Sequence, residues 1–281
     1  MSNSNLGAFV AVCRSVGKGC IGGKSTDAKI QWVKYIVTVS AIGSLLIYNS
    51  LHLGYRWQWY RVLRHLFAVG EFGLEPGPLL QGVAVTVRIS LFGLVLSSLI
   101  GLAAALLKLS QSVVGKLIAG MYVEAVRNTP LLIQLLFFYF VIAPIFGVSP
   151  FMSAVLALSL FEGAYASEII RGGIMAIPRG QWEAARSIGM SVRQTYRHVI
   201  LPQALRVVMP PLAGQAVSLV KDSALVSVIA IYDLTMQGQA IVSETFLTFE
   251  IWFTVALLYL SMTLSLSYFV RRWEKKLGDV V

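Results

Sequence analysis

The chain has 281 residues, of which 57% are hydrophobic and only 13% charged, with a mean hydropathy of +0.74. Soluble domains carry about 25% charged residues, so this composition excludes an ordinary soluble enzyme and indicates a polytopic membrane protein. The formal net charge of +10 does not indicate a nucleic-acid binder, because Lys and Arg stand between apolar runs instead of forming one basic face.

The tail, residues 1–32, contains "GKGCIGGKST" from Gly17 to Thr26. Gly23, Lys24 and Ser25 match the end of a phosphate loop, G-x-x-x-x-G-K-[ST], whose backbone N–H groups cradle phosphates. Lys18 stands where the first glycine is required, and no strand signal precedes the stretch. It reads as a basic tail without a nucleotide site. Cys13 and Cys20 lie in the same tail with no neighbouring His, so neither a disulfide framework nor a metal site is expected. The run that follows lacks a small-residue cleavage site and reads as an anchor.

A spanning helix needs about 20 mostly apolar residues. Six runs meet or approach this, at about 33–51, 79–107, 115–146, 151–170, 212–232 and 250–270. The first is followed by a 52–78 segment whose "YRWQWYRVLRHLF" is aromatic and basic, as expected of an interfacial helix. The third run is interrupted by Glu124, Arg127 and Pro130. Its deep part is "LLIQLLFFYFVIAPIFG", and the portion before it is expected at the membrane surface or against neighbouring helices. Glu124 and Arg127 are spaced i, i+3, which suits an ion pair.

In the fourth run Glu162, Tyr165 and Glu168 recur every three residues on one face, with Ser159 on the same arc. A carboxylate at membrane depth points to a cavity or pathway, and an ammonium is its natural ligand. The fifth run carries Ser218, Lys221, Asp222 and Ser223 as a second polar cluster, in which Lys221 suits a carboxylate. Glu162, Tyr165, Glu168, Ser218 and Lys221 are therefore the candidate pathway residues. Structural ion pairing is the alternative for each charge, and Glu168 with Arg171 is equally placed to brace the connection that follows.

That connection, 171–211, is the longest polar interval after the first run: "RGGIMAIPRGQWEAARSIGMSVRQTYRHVILPQALRVVMPP". Pro178 can open a helix, "QWEAARSI" favours one, and Gly189 can end it in the left-handed conformation. Ser191 and Gln194 fit a capping box for a second helix, which Pro202 breaks or kinks. The expected shape is helix, glycine elbow, helix. Arg171, Arg179, Arg186, Arg193, Arg197 and Arg206 lie in it; the N-terminal tail and residues 271–281 are also basic, and 233–250 is acidic. The positive-inside rule then puts both termini and the elbow in the cytoplasm, with Arg56, Arg61 and Arg64 as the one mismatch.

The elbow resembles the EAA loop of ABC-importer permeases: E-A-A, three residues, G, nine residues, I, one residue, L-P. The matching positions are Glu183, Ala184, Ala185, Gly189, Val199, Leu201 and Pro202, with Val199 alone departing from the pattern. The resemblance extends over roughly 78–278, where "YVEAVRNTPLLIQLLFFYF" and "SLVKDSALVSVIAIYDL" look like the polar amino-acid branch. It implies an all-α polytopic bundle of the type I importer-permease fold, with five core spans and the first span as an N-terminal addition. The implied organisation is a tail (1–32), the added helix (33–51), a periplasmic or interfacial segment (52–78), the permease domain (79–270) and a cytoplasmic tail (271–281).

The resemblance also implies a non-enzymatic inner-membrane subunit with no catalytic or metal site and no cofactor of its own. ATP and Mg would sit on an ABC ATPase dimer. The other implied partners are a second permease (another copy or a sister chain), a periplasmic binding protein, the lipid bilayer and an amino-acid substrate, acidic, amide or basic. The competing reading is a stand-alone secondary transporter, but no inverted repeat of the kind that class shows is found.

Overall fold

The computed structural model describes residues 24–52, 54–70 and 73–278. The phosphate-loop look-alike up to Gly23, with Cys13 and Cys20, lies outside the described residues. The chain divides into two units, Met1–Trp57 and Gln58–Val281.

Among the described residues the first unit holds one helix, α1 (Lys24–His52). Its Ile30–Asn49 stretch is 20 residues long with mean hydropathy 1.5, long and apolar enough to cross a membrane. This matches the expected 33–51 run.

The second unit opens with a single 3₁₀ turn, Trp59–Arg61, and a four-residue helix, α2 (Leu63–Leu66). Strands β1 (Phe67–Gly70) and β2 (Gly73–Pro76) then pair antiparallel, with Phe67 opposite Pro76 and Val69 opposite Leu74. The stretch expected as an interfacial helix, 55–67, is helical over Trp59–Arg61 and Leu63–Leu66 only, and the hairpin follows it. Gly70, Gly73, Pro76 and Gly77 interrupt any helix there, and Gly73 takes φ +120°. The backbone N–H of Gln58 donates to Glu250 Oε1 at 2.6 Å, tying the segment to the last helix.

The spans follow in order. Helix α3 (Pro78–Leu109) is succeeded by α4 (Val113–Arg127) and α5 (Leu131–Phe137), which continues through a π-helical stretch, Phe138–Ile142, into α6 (Ala143–Phe146). The α4 and α5–α6 segments meet at a 108° bend, so the third run is interrupted at Pro130 and the polar residues before it, as expected. Helix α7 (Pro150–Met175) is the most buried span. After it come α8 (Arg179–Ser187), α9 (Val192–Thr195), a π-helical stretch, Tyr196–Ile200, and α10 (Leu201–Asp222). A 3₁₀ segment (Ser223–Ile229), α11 (Leu234–Thr245) and α12 (Thr248–Gly278) complete the order.

One expected boundary moves. Residues 192–211 are helical and lead directly into the fifth span, giving a continuous apolar candidate of 38 residues, Val192–Ile229. Pro202 does not break this helix. It falls in the first turn of α10, just after the π-helical stretch, where the widened turn absorbs the missing N–H.

Small residues hold the bundle together. The buried face of α3 reads Gly82, Thr86, Ser90, Gly93, Ser97, Gly101, Ala104, Ala105, at helical spacing. Gly82 and Thr86 meet Asp233 and Leu234, whereas Gly93 and Gly101 lie against Ser159, Gly163, Ala166 and Ser167 of α7. Without large side chains the two backbones approach closely and dispersion contacts accumulate, the usual basis of packing between spans. Three apolar clusters form the core: Leu79, Leu234, Leu247 and Ile251; Ile89, Leu135, Leu158 and Val226; and Ile174, Ile177, Ile200 and Ala204. Asp233, fully buried, caps α11 by accepting Met236 N–H at 2.9 Å and the Tyr259 hydroxyl at 3.2 Å. Burial pushes its carboxyl above the usual range, against these hydrogen bonds.

Candidate functional site

The elbow has the expected local geometry. Helix α8 ends in a Schellman arrangement: Gly189 N–H donates to Arg186 O at 2.9 Å and Met190 N–H to Ala185 O at 3.1 Å. Gly189 takes φ +77°, the conformation that glycine reaches without strain. Ser191 and Gln194 then form the reciprocal capping box of α9. Glu183, Ala184 and Gly189 are exposed, as are Leu201 and Pro202, while Ala185 is buried and Val199 half-buried. Behind them Trp182 meets Tyr196 edge-on at 5.1 Å, over Ile174, Ile177 and Ile200. The elbow is therefore a rigid projection seated on its own apolar base.

Glu168 lies next to this base. Its Oε1 accepts Lys108 Nζ and its Oε2 accepts Arg171 Nη2, both at 2.7 Å. Lys221 of the fifth run is exposed and makes no ion pair among the described residues. Glu168 thus joins the last turn of α3 to the stretch of α7 that enters the elbow. Lys108 belongs to this site, and its place in the last turn of an apolar helix was no signal by itself.

Glu162 is in different surroundings. It is 1% exposed, and its Oε2 accepts from Gln215 Nε2 of α10. Its Oε1 meets no donor, and the Asp222 carboxyl is its acidic neighbour. Gln215, Ser218 and Asp222 follow one stripe of α10 at spacings of three and four, a periodicity by which Gln215 was findable. Ser218 is half-buried on that stripe. Ser159, on the Glu162 arc, instead donates to Gly93 O at 3.3 Å and serves packing.

Tyr165 is half-buried, its ring 5.0 Å from that of Phe161 and 5.4 Å beneath the Arg127 guanidinium. The spacing-based ion pair of Arg127 with Glu124 does not form, because Glu124 Oε2 accepts from Asn128 at 3.2 Å. Arg127 is the cation that sequence spacing misassigned: its partner is a ring on another span. No group of His, Cys, Asp and Glu able to hold a metal occurs among the described residues.

A family model described as "Binding-protein-dependent transport system inner membrane component" matches residues 84–279. The glutamine transport system permease protein GlnP of Escherichia coli (strain K12) is 38% identical over 202 residues, covering 71% of this chain and 92% of its own. The L-cystine transport system permease protein TcyB of Bacillus subtilis (strain 168) is 43% identical over 167 residues, 58% of this chain and 71% of that one. A solved amino acid ABC transporter with histidines aligns at TM-score 0.67 and 39% identity, covering 71% and 94% of the two chains. An inward-facing MetNI methionine ABC transporter, at TM-score 0.62 and 22% identity, shares the fold. With the match spanning the whole bundle from α3 to α12, the chain belongs to the family of inner-membrane components of binding-protein-dependent transport systems, with the type I ABC-importer permease fold.

Proposed function

We propose that this chain is the permease subunit of an importer that carries a polar amino acid across the inner membrane. Likeness to amino-acid permeases over 92% of GlnP and 94% of the solved amino-acid transporter chain carries this reading. The chain hydrolyses no ATP itself. A separate ATPase dimer holds ATP and Mg, and Glu183, Ala184, Ala185 and Gly189, backed by Val199, Leu201 and Pro202, form the coupling elbow that seats in it. A second permease and a periplasmic binding protein complete the complex. Both termini lie in the cytoplasm, and α1 is an added span.

In this reading Glu162 holds the ammonium of the substrate through the oxygen that has no donor, once Gln215 or Asp222 yields. Tyr165 and Ser218 line the path. Glu168, neutralised by two cations, braces the elbow and does not contact the substrate.

Two measurements test the reading. An ATPase subunit should co-purify with the chain after mild detergent extraction, and the reconstituted complex should take up amino acids. Glu162→Gln then removes a charge but keeps size and hydrogen bonding. Loss of a charge-assisted bond of roughly 1.5–3 kcal/mol weakens the translocation site about tenfold to a hundredfold. The ranking of cationic, neutral and acidic amino acids should change with it. An equal fall for every substrate, with lowered thermal stability, would show that Glu162 only holds the bundle together.

A further inference from the structure

We infer that Arg127 is a carboxylate-binding residue of the translocation pathway, gripping the α-carboxylate of the amino acid against the face of Tyr165. The inference rests on the amino-acid reading above and adds to it the pole opposite the one Glu162 would hold.

Arg127 is the last residue of α4, at the 108° break in the third span. A break at membrane depth frees backbone carbonyls, which a guanidinium would ordinarily take. Here other donors satisfy them: Asn128 Nδ2 reaches Glu124 O at 2.7 Å, Thr129 Oγ1 reaches Ala125 O at 3.0 Å, and Gln134 Nε2 reaches Val126 O at 2.8 Å. Glu124 is engaged by Asn128. Among the described residues the Arg127 guanidinium makes no ion pair or hydrogen bond, and its side chain is exposed over the Tyr165 ring.

Depth excludes a lipid headgroup as the missing anion. Tyr165 stands ten residues before Met175 and fifteen after Pro150, about 15 and 22 Å along α7 at 1.5 Å per residue. That position is well inside a hydrocarbon layer of about 30 Å. An unpaired cation there is costly. The planar fork of a guanidinium matches a carboxylate with two parallel N–H···O bonds, and stacking on Tyr165 fixes the plane of the fork. Tyr165, beneath Arg127 of α4, is one helical turn from Glu162 on α7, so a cation and an anion stand about a turn apart, as the two poles of a zwitterion require.

The test uses the complete permease–ATPase complex in nanodiscs, without the binding protein, so that its own selectivity does not intervene. The probes are radiolabelled glutamine, histidine, arginine and cystine, each beside its α-carboxamide, which keeps the ammonium but lacks the carboxylate. The wild type should bind the acids more tightly than the amides. Arg127→Gln should lower affinity for the acids about tenfold or more while leaving the amides unchanged, and Arg127→Lys should recover part of the preference. Equal losses for acid and amide, or loss of assembly in both variants, would overturn the inference by showing a structural cation. Unchanged binding of the acids would overturn it alone. If the wild type bound none of the probes, the amino-acid reading would fall and the inference with it.

Discussion

At the scale of single residues, Gly189 carries the demand that the elbow makes on the backbone. Its φ of +77° is strained for any side chain, although a Cβ there would meet open space. Gly189→Val therefore acts through backbone strain of about 1–3 kcal/mol and not through a clash. The expected outcome is uncoupled ATP hydrolysis or a released ATPase, with the spans still folded, read as ATP hydrolysed per amino acid transported. Normal assembly and transport would remove the elbow from the coupling role. Charged residues were less legible than this glycine. Glu162 and Glu168 share one periodicity in the sequence, yet one is fully buried beside another acid and the other sits between two cations. Arg171 of the same helix supplies one of those cations, while Lys108 of α3 and Gln215 of α10, distant in sequence, supply the other contacts.

Among the helices, the closest approach governs what the α3–α7 pair tolerates. A Cβ on Gly101 would lie 2.7 Å from the Ala166 Cβ and 3.0 Å from Gly163 O, so neither side can give without moving a backbone. Gly101→Val should force the spans apart at a cost of roughly 1–3 kcal/mol. Gly120→Ala, where a Cβ meets nothing within 4 Å, should leave stability unchanged. Thermal unfolding of the two variants in detergent checks the contrast; equal midpoints would mean that the small-residue face does not set the spacing. In the 52–78 segment the aromatic and basic stretch forms two short helical pieces, and the glycines and proline that follow it favour a hairpin.

For the whole molecule, the proposed function places ATP hydrolysis on a partner. The one phosphate-loop candidate, Gly17–Thr26, lacks its first glycine and the strand that would present it. The purified chain should therefore show no ATPase activity, and Lys24→Ala should leave uptake by the assembled complex near normal. A large loss of uptake at normal abundance would restore the loop as a functional element. Glu168 ties α3 to α7 at the end of the bundle that carries the elbow.

The sequence by itself determined the class of this protein. Apolar run lengths set the number of spans, a glycine and a capping box shaped the elbow, and seven spaced positions identified the family. These are local properties, encoded within a turn or two of helix or in the length of one segment. Tertiary structure decided which side chains meet across helices. Lys108 finds Glu168 across 60 positions, Gln215 finds Glu162 across 53, and Arg127 turns from Glu124 to the Tyr165 ring. Spacing along one helix lists the partners within reach, but in a bundle the strongest partner comes from the neighbouring helix, whose rotation and depth are set by small-residue packing that no single segment encodes.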